Sequence, residues 1–140
     1  MFMRRRFVPL ALLALSWLVP GCQTPSAAPE VRWTAVPVES FEPIAGRWAG
    51  LMVREPRSRQ DDWVRVSIAD DGRYEFVSYR SIGMFSGKGQ FTLAQGQLRA
   101  SGDRGSVTGG LMTSDGRQML RFIGVMNDGV QYKAEVQRSR

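Results

Sequence analysis

From residue 44 onward, apolar and polar residues alternate in short runs, and glycine-containing turns separate the runs. A period of two is typical of β-strands with one buried and one wetted face, and no stretch here has the spacing of an amphipathic helix. Eight runs are predicted to be strands: 46–54, 63–69, 73–81, 89–93, 97–101, 106–113, 117–125 and 130–138. The pattern therefore predicts an all-β domain.

Each run separates an apolar face from a polar face. In the second run, Val64, Val66 and Ile68 share one face, while Arg65 and Ser67 lie on the other. A sheet with one wetted face is typically antiparallel. Eight such strands with short connections close most economically into an up-and-down barrel, which has no open edges. A barrel of this size has room for its own side chains or for one small ligand.

The turns give the two ends of this barrel different characters. Asp71-Gly72, Gln95-Gly96 and Asp115-Gly116 are tight hairpin signals, because Gly and Asp tolerate the positive φ that such turns require. In an up-and-down barrel these three turns share one end, called here the tight end. The opposite end, called the loose end, carries the connections 55–62, 82–88, 102–105 and 126–129.

This asymmetry resembles the lipocalin-like barrels, in which one end is open and binds a ligand. Gly46-Arg47-Trp48 is similar to the Gly-x-Trp on the first strand of that group. The resemblance covers residues 44–140 and implies a ligand pocket at the loose end of an eight-stranded lipocalin-like barrel.

The N-terminus has the features of an export signal. Arg4, Arg5 and Arg6 precede an apolar stretch at 7–19, which is a positive segment followed by a short hydrophobic one. The stretch is shorter than the roughly 20 residues that span a bilayer, so a permanent transmembrane anchor is the weaker alternative. The arginines also resemble a twin-arginine motif, which would suit a domain exported in the folded state.

Leu18-Val19-Pro20-Gly21-Cys22 resembles the lipobox of bacterial lipoproteins. The resemblance implies that Cys22 receives the lipid and that cleavage follows Gly21. Pro20 departs from the Ala, Ser or Thr that usually stands there, and this departure concerns how efficiently the signal is processed. The alternative is an ordinary signal peptide with an incidental Cys. Two or more acyl chains would attach the protein stably to a membrane.

This interpretation divides the chain into a signal peptide at 1–21, a lipidated Cys with a Pro-rich tether at 22–43, and a barrel domain at 44–140. Four prolines predict that the tether is extended and lacks regular structure. Trp33 and Phe41 either pack on the domain or lie at the lipid interface, and we favour packing. Gln23, where an Asp signals inner-membrane retention in Gram-negative lipoproteins, favours the outer membrane and a periplasm-facing domain.

Composition narrows the chemistry. The chain has no His and a single Cys, which excludes an intrachain disulfide and a Cys-rich metal site. Removing Arg4, Arg5 and Arg6 leaves 19 − 3 = 16 basic against 13 acidic residues, a net charge of +3 that does not indicate nucleic-acid binding. Asp70, Asp71, Asp115 and Asp128 fit turns, and the pair Asp61 and Asp62 fits a solvated loop better than a weak cation site. We therefore expect no enzyme, no metal site and no cofactor.

Six large side chains are candidates for a ligand site. Trp48, Trp63, Tyr74 and Phe76 could line a pocket or simply fill the barrel. Met84 and Phe85 lie in the predicted 82–88 loop, which is interpreted as a lid, a partner-docking tip or a segment tucked into the barrel mouth. The candidates are Trp48, Trp63, Tyr74, Phe76, Met84 and Phe85.

Two functions remain open at this point. The first is a lipid-anchored, non-catalytic binding module for a small apolar or amphipathic ligand. The second is a protein-interaction module, such as a peptidase inhibitor or an envelope-assembly accessory, that would use Arg57, Arg59, Met84 and Phe85 for contact. An apolar cavity favours the first function, and a filled interior favours the second. A sizeable polar-lined cavity would instead favour an enzyme, which is the weakest of the three alternatives.

Overall fold

The alternating runs form strands in the computed structural model, which describes residues 30–55, 61–80, 83–102 and 104–139. A 3₁₀ helix spans Glu42–Ile44. The strands are β1 (Thr34–Val36), β2 (Gly46–Glu55), β3 (Asp62–Ile68), β4 (Arg73–Tyr79), β5 (Met84–Gln90), β6 (Thr92–Ala94), β7 (Gln97–Gly102), β8 (Gly105–Ser114), β9 (Arg117–Met126) and β10 (Gln131–Arg138).

Nine of these strands form one antiparallel up-and-down sheet in the order β5-β4-β3-β2-β10-β9-β8-β7-β6. Pairing of β2 with β10 joins the first and last strands of the meander, from Gln131 opposite Glu55 to Arg138 opposite Trp48. The result is a nearly closed barrel. The predicted all-β up-and-down barrel is thus confirmed, with nine meander strands where eight were expected.

The difference in strand number arises between residues 84 and 94. The sequence predicted one strand at 89–93 after a loop, but β5 and β6 are two strands separated only by Phe91. β5 pairs with β4, and β6 pairs with β7. One bent stretch of chain therefore forms both edges of the sheet, and within the described strands no ladder joins β5 to β7. A slit remains between β5 and β7.

The tight end has the turns that the sequence predicted. Gly72, Gly96 and Gly116 have φ of +85°, +72° and +76°, and Gln95 and Asp115 also have positive φ. Positive φ at both central residues is the type I′ geometry, whose twist matches that of the flanking strands. The predicted hairpins at 95–96 and 115–116 are confirmed.

The stretch from residue 34 to 43, which the sequence assigned to an extended tether, has regular structure instead. β1 pairs with β8, and the Val38 amide donates a 2.8 Å hydrogen bond to the Gly96 carbonyl. Pro37 follows β1 directly and Pro43 lies at the start of the 3₁₀ helix, positions where a missing amide costs no ladder hydrogen bond. Proline content was therefore a misleading signal.

This N-terminal segment closes the tight end. Val38 and Ile44 are buried, and Phe41 packs against the same core. The Ile44 carbonyl accepts a 2.8 Å hydrogen bond from the indole Nε1 of Trp48. The half-buried Trp33 ring lies 5.9 Å from the Arg117 guanidinium. The prediction that Trp33 and Phe41 pack on the domain is confirmed.

Large side chains fill the interior of the tight half of the barrel. Trp48, Leu98, Leu120 and Val136 have no exposed surface. They come from four different strands, as expected where inward positions of a barrel meet in layers. Arg138 adds a contact at the rim, because its guanidinium lies 4.7 Å from the Trp48 ring and donates to the Ala45 carbonyl at 3.0 Å.

Candidate functional site: a cavity in the loose half of the barrel

The loose half of the barrel is hollow. A cavity of about 480 Å³ lies there, within the range of small-molecule pockets. Three stacked aromatic rings form its wall nearest the tight end: Tyr74 lies 4.2 Å from Phe91, and Phe91 lies 5.8 Å from Phe122. Further apolar and aromatic residues line the cavity: Met52, Val64, Val66, Phe76, Phe85, Ala100, Val107, Met126, Tyr132 and Ala134. Polar residues add to the lining: Ser86, Lys88, Gln90, Ser101 and Ser106.

Glycines on the inner face of β5 make room for two of these rings. Gly89 is paired with Tyr74, and Gly87 with Phe76. A Cβ atom at Gly87 would lie 2.5 Å from the Phe76 ring, and one at Gly89 would lie 2.7 Å from the Tyr74 hydroxyl. Aromatic rings that cover cross-strand glycines are a known device for holding register in such sheets. β5 therefore keeps strand period even though two of its inward positions carry no side chain.

An ion pair lies at the mouth of the cavity. The Arg80 guanidinium is 2.9 Å from the Asp62 carboxylate, which also accepts a hydrogen bond from the buried Ser78 hydroxyl at 3.3 Å. Burial by itself would lower the pKa of Arg80, but the hydrogen bond to Tyr132 and the charge of Asp62 outweigh it and raise that pKa. Asp62 is thus a partner of Arg80 and Ser78.

Two cations flank one ring at the slit. The Arg104 guanidinium, between β7 and β8, lies 5.5 Å from the Phe85 ring on β5, and the Arg80 guanidinium lies 5.8 Å from the same ring. Within the described part of the chain, no carboxylate forms an ion pair with Arg104. The mouth of a cavity that is lined mainly by apolar residues therefore carries positive charge.

Burial raises the pKa of the Tyr74 hydroxyl above its ordinary value. Because this ring is stacked on Phe91 beside the cavity, its hydroxyl is partly removed from water. The shift agrees with an apolar environment at the inner wall of the cavity.

The structure brings together three of the six predicted site residues. Tyr74, Phe76 and Phe85 line the cavity. Trp48 is fully buried in the tight half and contributes to the filled core. Trp63 and Met84 lie on the outside of the barrel, with 46% and 73% of their surfaces exposed.

The predicted loop at 82–88 is largely strand, and this is a correction. β5 begins at Met84, so Met84 and Phe85 do not form a loop tip. The Phe85 ring turns inward and lies 5.6 Å from the Phe76 ring, whereas Met84 is exposed. The alternative in which both residues tuck into the barrel mouth therefore holds for Phe85 alone. The alternation was hidden in the sequence because Gly87 and Gly89 occupy inward positions.

Several predicted positions lie outside the described residues. These are the signal peptide, Cys22 and the pair Arg57 and Arg59. The turn carboxylates behave as expected: Asp71 accepts a 3.0 Å hydrogen bond from the Arg73 amide, and Asp128 accepts one of 3.0 Å from the Val130 amide. The hydrogen bond from the Arg73 amide, helped by the Arg73 side chain, lowers the pKa of Asp71 against the opposing effect of desolvation.

Sequence reasoning missed the polar mouth and part of the inner wall. Alternation had placed Phe91 and Phe122 on the buried face of their predicted strands, but neither was chosen as a candidate site residue. Arg80 and Arg104 gave no such signal, since their proximity depends on how the loose-end connections meet. Among the described residues there is no cluster of three or more His, Cys, Asp or Glu side chains placed to hold a metal ion.

The fold is similar to a solved structure of a redesigned β-barrel, with a TM-score of 0.57 and 19% sequence identity. The match covers 74% of this chain and 97% of the redesigned barrel. No protein-family model and no curated protein matches the chain. In the part of the chain that the structure describes, no helix has the length and apolar character needed to cross a membrane. The likeness supports the barrel architecture alone.

Proposed function

We propose that this protein is a lipid-anchored, non-catalytic binding module of the bacterial cell envelope, and that its ligand is a small amphipathic anion. The observation that carries the proposal is the cavity of about 480 Å³, which joins an aromatic inner wall to a cationic mouth. A filled interior would have favoured the protein-interaction alternative.

The lining matches an apolar chain or ring system. Removing apolar surface from water is worth about 25 cal/mol per Å², so an acyl or ring system covered by these side chains gains most of its affinity from burial. The inner wall formed by Tyr74, Phe91 and Phe122 limits how deep such a group reaches. This wall favours a ligand whose apolar part enters from the loose end or the slit.

The mouth matches a carboxylate or phosphate. Arg104 has no carboxylate partner among the described residues, whereas Arg80 shares its charge with Asp62. Guanidinium groups bind planar oxyanions through two parallel hydrogen bonds. We therefore assign the headgroup contact to Arg104, with Arg80 as the second cation.

The membrane attachment rests on the sequence. Arg4, Arg5 and Arg6, the apolar stretch after them and the lipobox ending at Cys22 resemble an outer-membrane lipoprotein signal with Gln23 next. An acylated Cys22 would keep the barrel at the surface of a membrane, close to a source of amphiphiles.

The ligand proposal is tested by displacement of a fluorescent fatty acid from the purified mature chain. The competitors share one apolar chain and differ in headgroup: a carboxylate, a phosphate, a neutral alcohol and a quaternary ammonium. We expect the two anions to compete best. Arg104→Glu should weaken anion binding about tenfold or more, as expected for a lost charge-assisted hydrogen bond, and leave the alcohol unchanged.

The controls separate the cavity from the surface. Ala100→Trp places a large ring inside the cavity, and Gln97→Trp places the same ring on the outside of the same strand. Arg99→Glu reverses an exposed charge that lies on the outer face of β7. Binding that survives Ala100→Trp, or that Gln97→Trp and Arg99→Glu abolish equally, would exclude the cavity as the site.

The anchor has a separate test. Cys22→Ser should prevent labelling of the protein by a radioactive fatty acid and change its distribution between membrane and soluble fractions. Unchanged labelling would show that Cys22 is not the lipid attachment site.

A further inference from the structure

An apolar row crosses the outside of the barrel at its loose end. Leu51 is paired with Trp63, Trp63 with Tyr79, and Tyr79 with Met84, so one outward residue from each of β2, β3, β4 and β5 lies in a single line. Their exposed fractions are 50%, 46%, 37% and 73%. We call these four side chains the outer apolar row.

The rows below it become steadily more polar toward the tight end. The next cross-strand line consists of Ala49, Arg65, Val77 and Ser86. The line after that consists of Arg47, Ser67, Glu75 and Lys88. From the outer apolar row toward the tight end, the outer face of these four strands therefore changes from apolar to charged.

The neighbouring strands β9 and β10 have no such apolar row. Outward residues there form ion pairs across strands: Arg121 with Glu135 at 2.9 Å, and Lys133 with Glu55 at the end of β2 at 3.1 Å. Ile123 and Val125 are exposed on β9, but their paired neighbours are polar: Thr108 and Lys133, and Ser106 and Gln131. Single exposed apolar residues are normal on soluble proteins, whereas a contiguous row indicates a contact surface.

We propose that the outer apolar row docks the loose end of the barrel onto the surface of a lipid bilayer. Trp63 and Tyr79 are the residue types that favour the interface between headgroups and acyl chains, since each combines an apolar ring with a polar group. Leu51 and Met84 enter the acyl region beside them.

The charges around the row match a bilayer that contains anionic lipid. The two lines below the row contain three cations, Arg47, Arg65 and Lys88, against one carboxylate, Glu75. Arg65 also lies 5.4 Å from the Tyr79 ring, so its long side chain extends along the row while its charge stays at headgroup level. Attraction to anionic headgroups adds to the apolar contact.

The size of the row favours a membrane over a second copy of the chain. Three strand spacings give a length of about 14 Å. A stable protein interface needs roughly 800 Å² on each partner, which four side chains in one line do not supply. A bilayer surface needs no complementary partner shape, so four inserted side chains are sufficient for a reversible contact.

The row is continuous with the mouth of the cavity. Arg80 follows Tyr79 directly, and Phe85 follows Met84, so alternate residues of the same strand ends face the membrane and the cavity. Docking would therefore place the slit next to acyl chains. The docking itself does not depend on the proposed ligand; only this consequence does.

The test uses the mature chain reconstituted into vesicles of phosphatidylethanolamine and phosphatidylglycerol. Met84→Cys carries an environment-sensitive fluorophore, and Ser67→Cys carries the same label as the matched control, because Ser67 is exposed on the charged line. We expect a blue shift and strong quenching by nitroxide-bearing lipid at position 84, and neither change at position 67.

A second variant tests the surface rather than the label. Leu51→Glu with Trp63→Glu should restore the water-exposed emission at position 84, whereas Ser67→Glu should not. A blue shift without quenching by the nitroxide lipid would mean that a second protein copy covers the row, and equal exposure at positions 84 and 67 would mean that nothing does. Either result overturns the docking proposal, while fatty-acid displacement reports on the ligand proposal separately.

Discussion

The tight half and the loose half of this barrel share one pattern of alternation but differ in the size of the residues that point inward. Inward positions at the tight end carry Trp48, Leu98, Leu120 and Val136, which leave no exposed surface. Around the cavity, several inward positions carry glycine or alanine, beside larger side chains such as Met52 and Phe85; the small residues are Gly87, Gly89, Ala100, Gly124 and Ala134. Periodicity thus determines which residues face inward, and residue volume determines whether a cavity remains.

Under the proposed function, the tight half stabilises the fold and the loose half binds the ligand. A packed interior resists both loss and gain of volume, so the tight half should supply most of the stability. A hollow half has fewer packing contacts to lose and tolerates changes of volume. The following predictions use paired substitutions, one in each half, to test this division.

The largest difference is expected for removal of an aromatic ring. Trp48→Ala leaves a cavity in a filled core and removes a buried hydrogen bond, so it should cost about 3–5 kcal/mol. Phe76→Ala removes a half-buried ring beside an existing cavity and should cost on the order of 1–2 kcal/mol. Chemical denaturation measures both values. Equal losses would mean that the two halves are packed alike.

A tight-turn glycine should come next. At Gly72 an added Cβ meets the Phe41 ring at 2.5 Å and φ is +85°, so Gly72→Ala combines backbone strain with a clash and should cost about 2–4 kcal/mol. Gly116 has φ of +76° and nothing within 4 Å, so Gly116→Ala should cost only the strain, about 1–2 kcal/mol. Thermal unfolding of the two variants compares them. If the costs are the same, Phe41 does not close the tight end.

Glycines under aromatic rings give a smaller and more specific contrast. Gly109→Ala and Gly87→Ala each bring a Cβ to 2.5 Å from a phenylalanine ring. Phe122 over Gly109 is buried, so overpacking there should cost about 1–3 kcal/mol. Phe76 over Gly87 can turn into the cavity, so that variant should lose less than about 1 kcal/mol of stability. Displacement of the fluorescent fatty acid from Gly87→Ala should change instead. A larger loss of stability for Gly87→Ala than for Gly109→Ala would contradict a hollow loose half.

The smallest effect concerns pH. Burial raises the pKa of Tyr74 in the folded protein above its ordinary value of 10.0. The associated stability is complete below pH 10.0 and is lost as the pH rises through the folded pKa. Ultraviolet absorbance of tyrosinate, compared with Tyr74→Phe, follows this titration. A ligand in the cavity should raise the pKa further, and a ligand that leaves the titration unchanged would not lie against Tyr74.

Local signals in the sequence were sufficient for most of the strands and for the tight-end turns. Alternation and the Asp-Gly and Gln-Gly dipeptides involve residues close together in the chain, so one sequence shows them directly. The same alternation placed Val64 inside, which by itself puts Trp63 outside. Trp63 was chosen as a candidate site residue because it is aromatic, although its position in the strand places it outside.

Features that depend on distant residues were not predictable. The strand at 84–90 was missed because its inward glycines hide the period, and their function appears only when Tyr74 and Phe76 are seen opposite. The closure by residues 34–44 was missed because prolines at the ends of short elements look like those of a linker. The approach of Arg104 to Phe85 brings the connection between β7 and β8 against strand β5, and no local pattern in the sequence shows this contact.

The most direct test of a filled tight half and a ligand-binding loose half is methionine-methyl NMR during titration with a single-chain fatty acid. Met52 and Met126 line the cavity, whereas Met119 is buried at the tight end outside the main core. Saturable shifts of the Met52 and Met126 methyl signals, with Met119 unchanged, are the predicted result. Shifts of all three signals, or of none, would contradict the account.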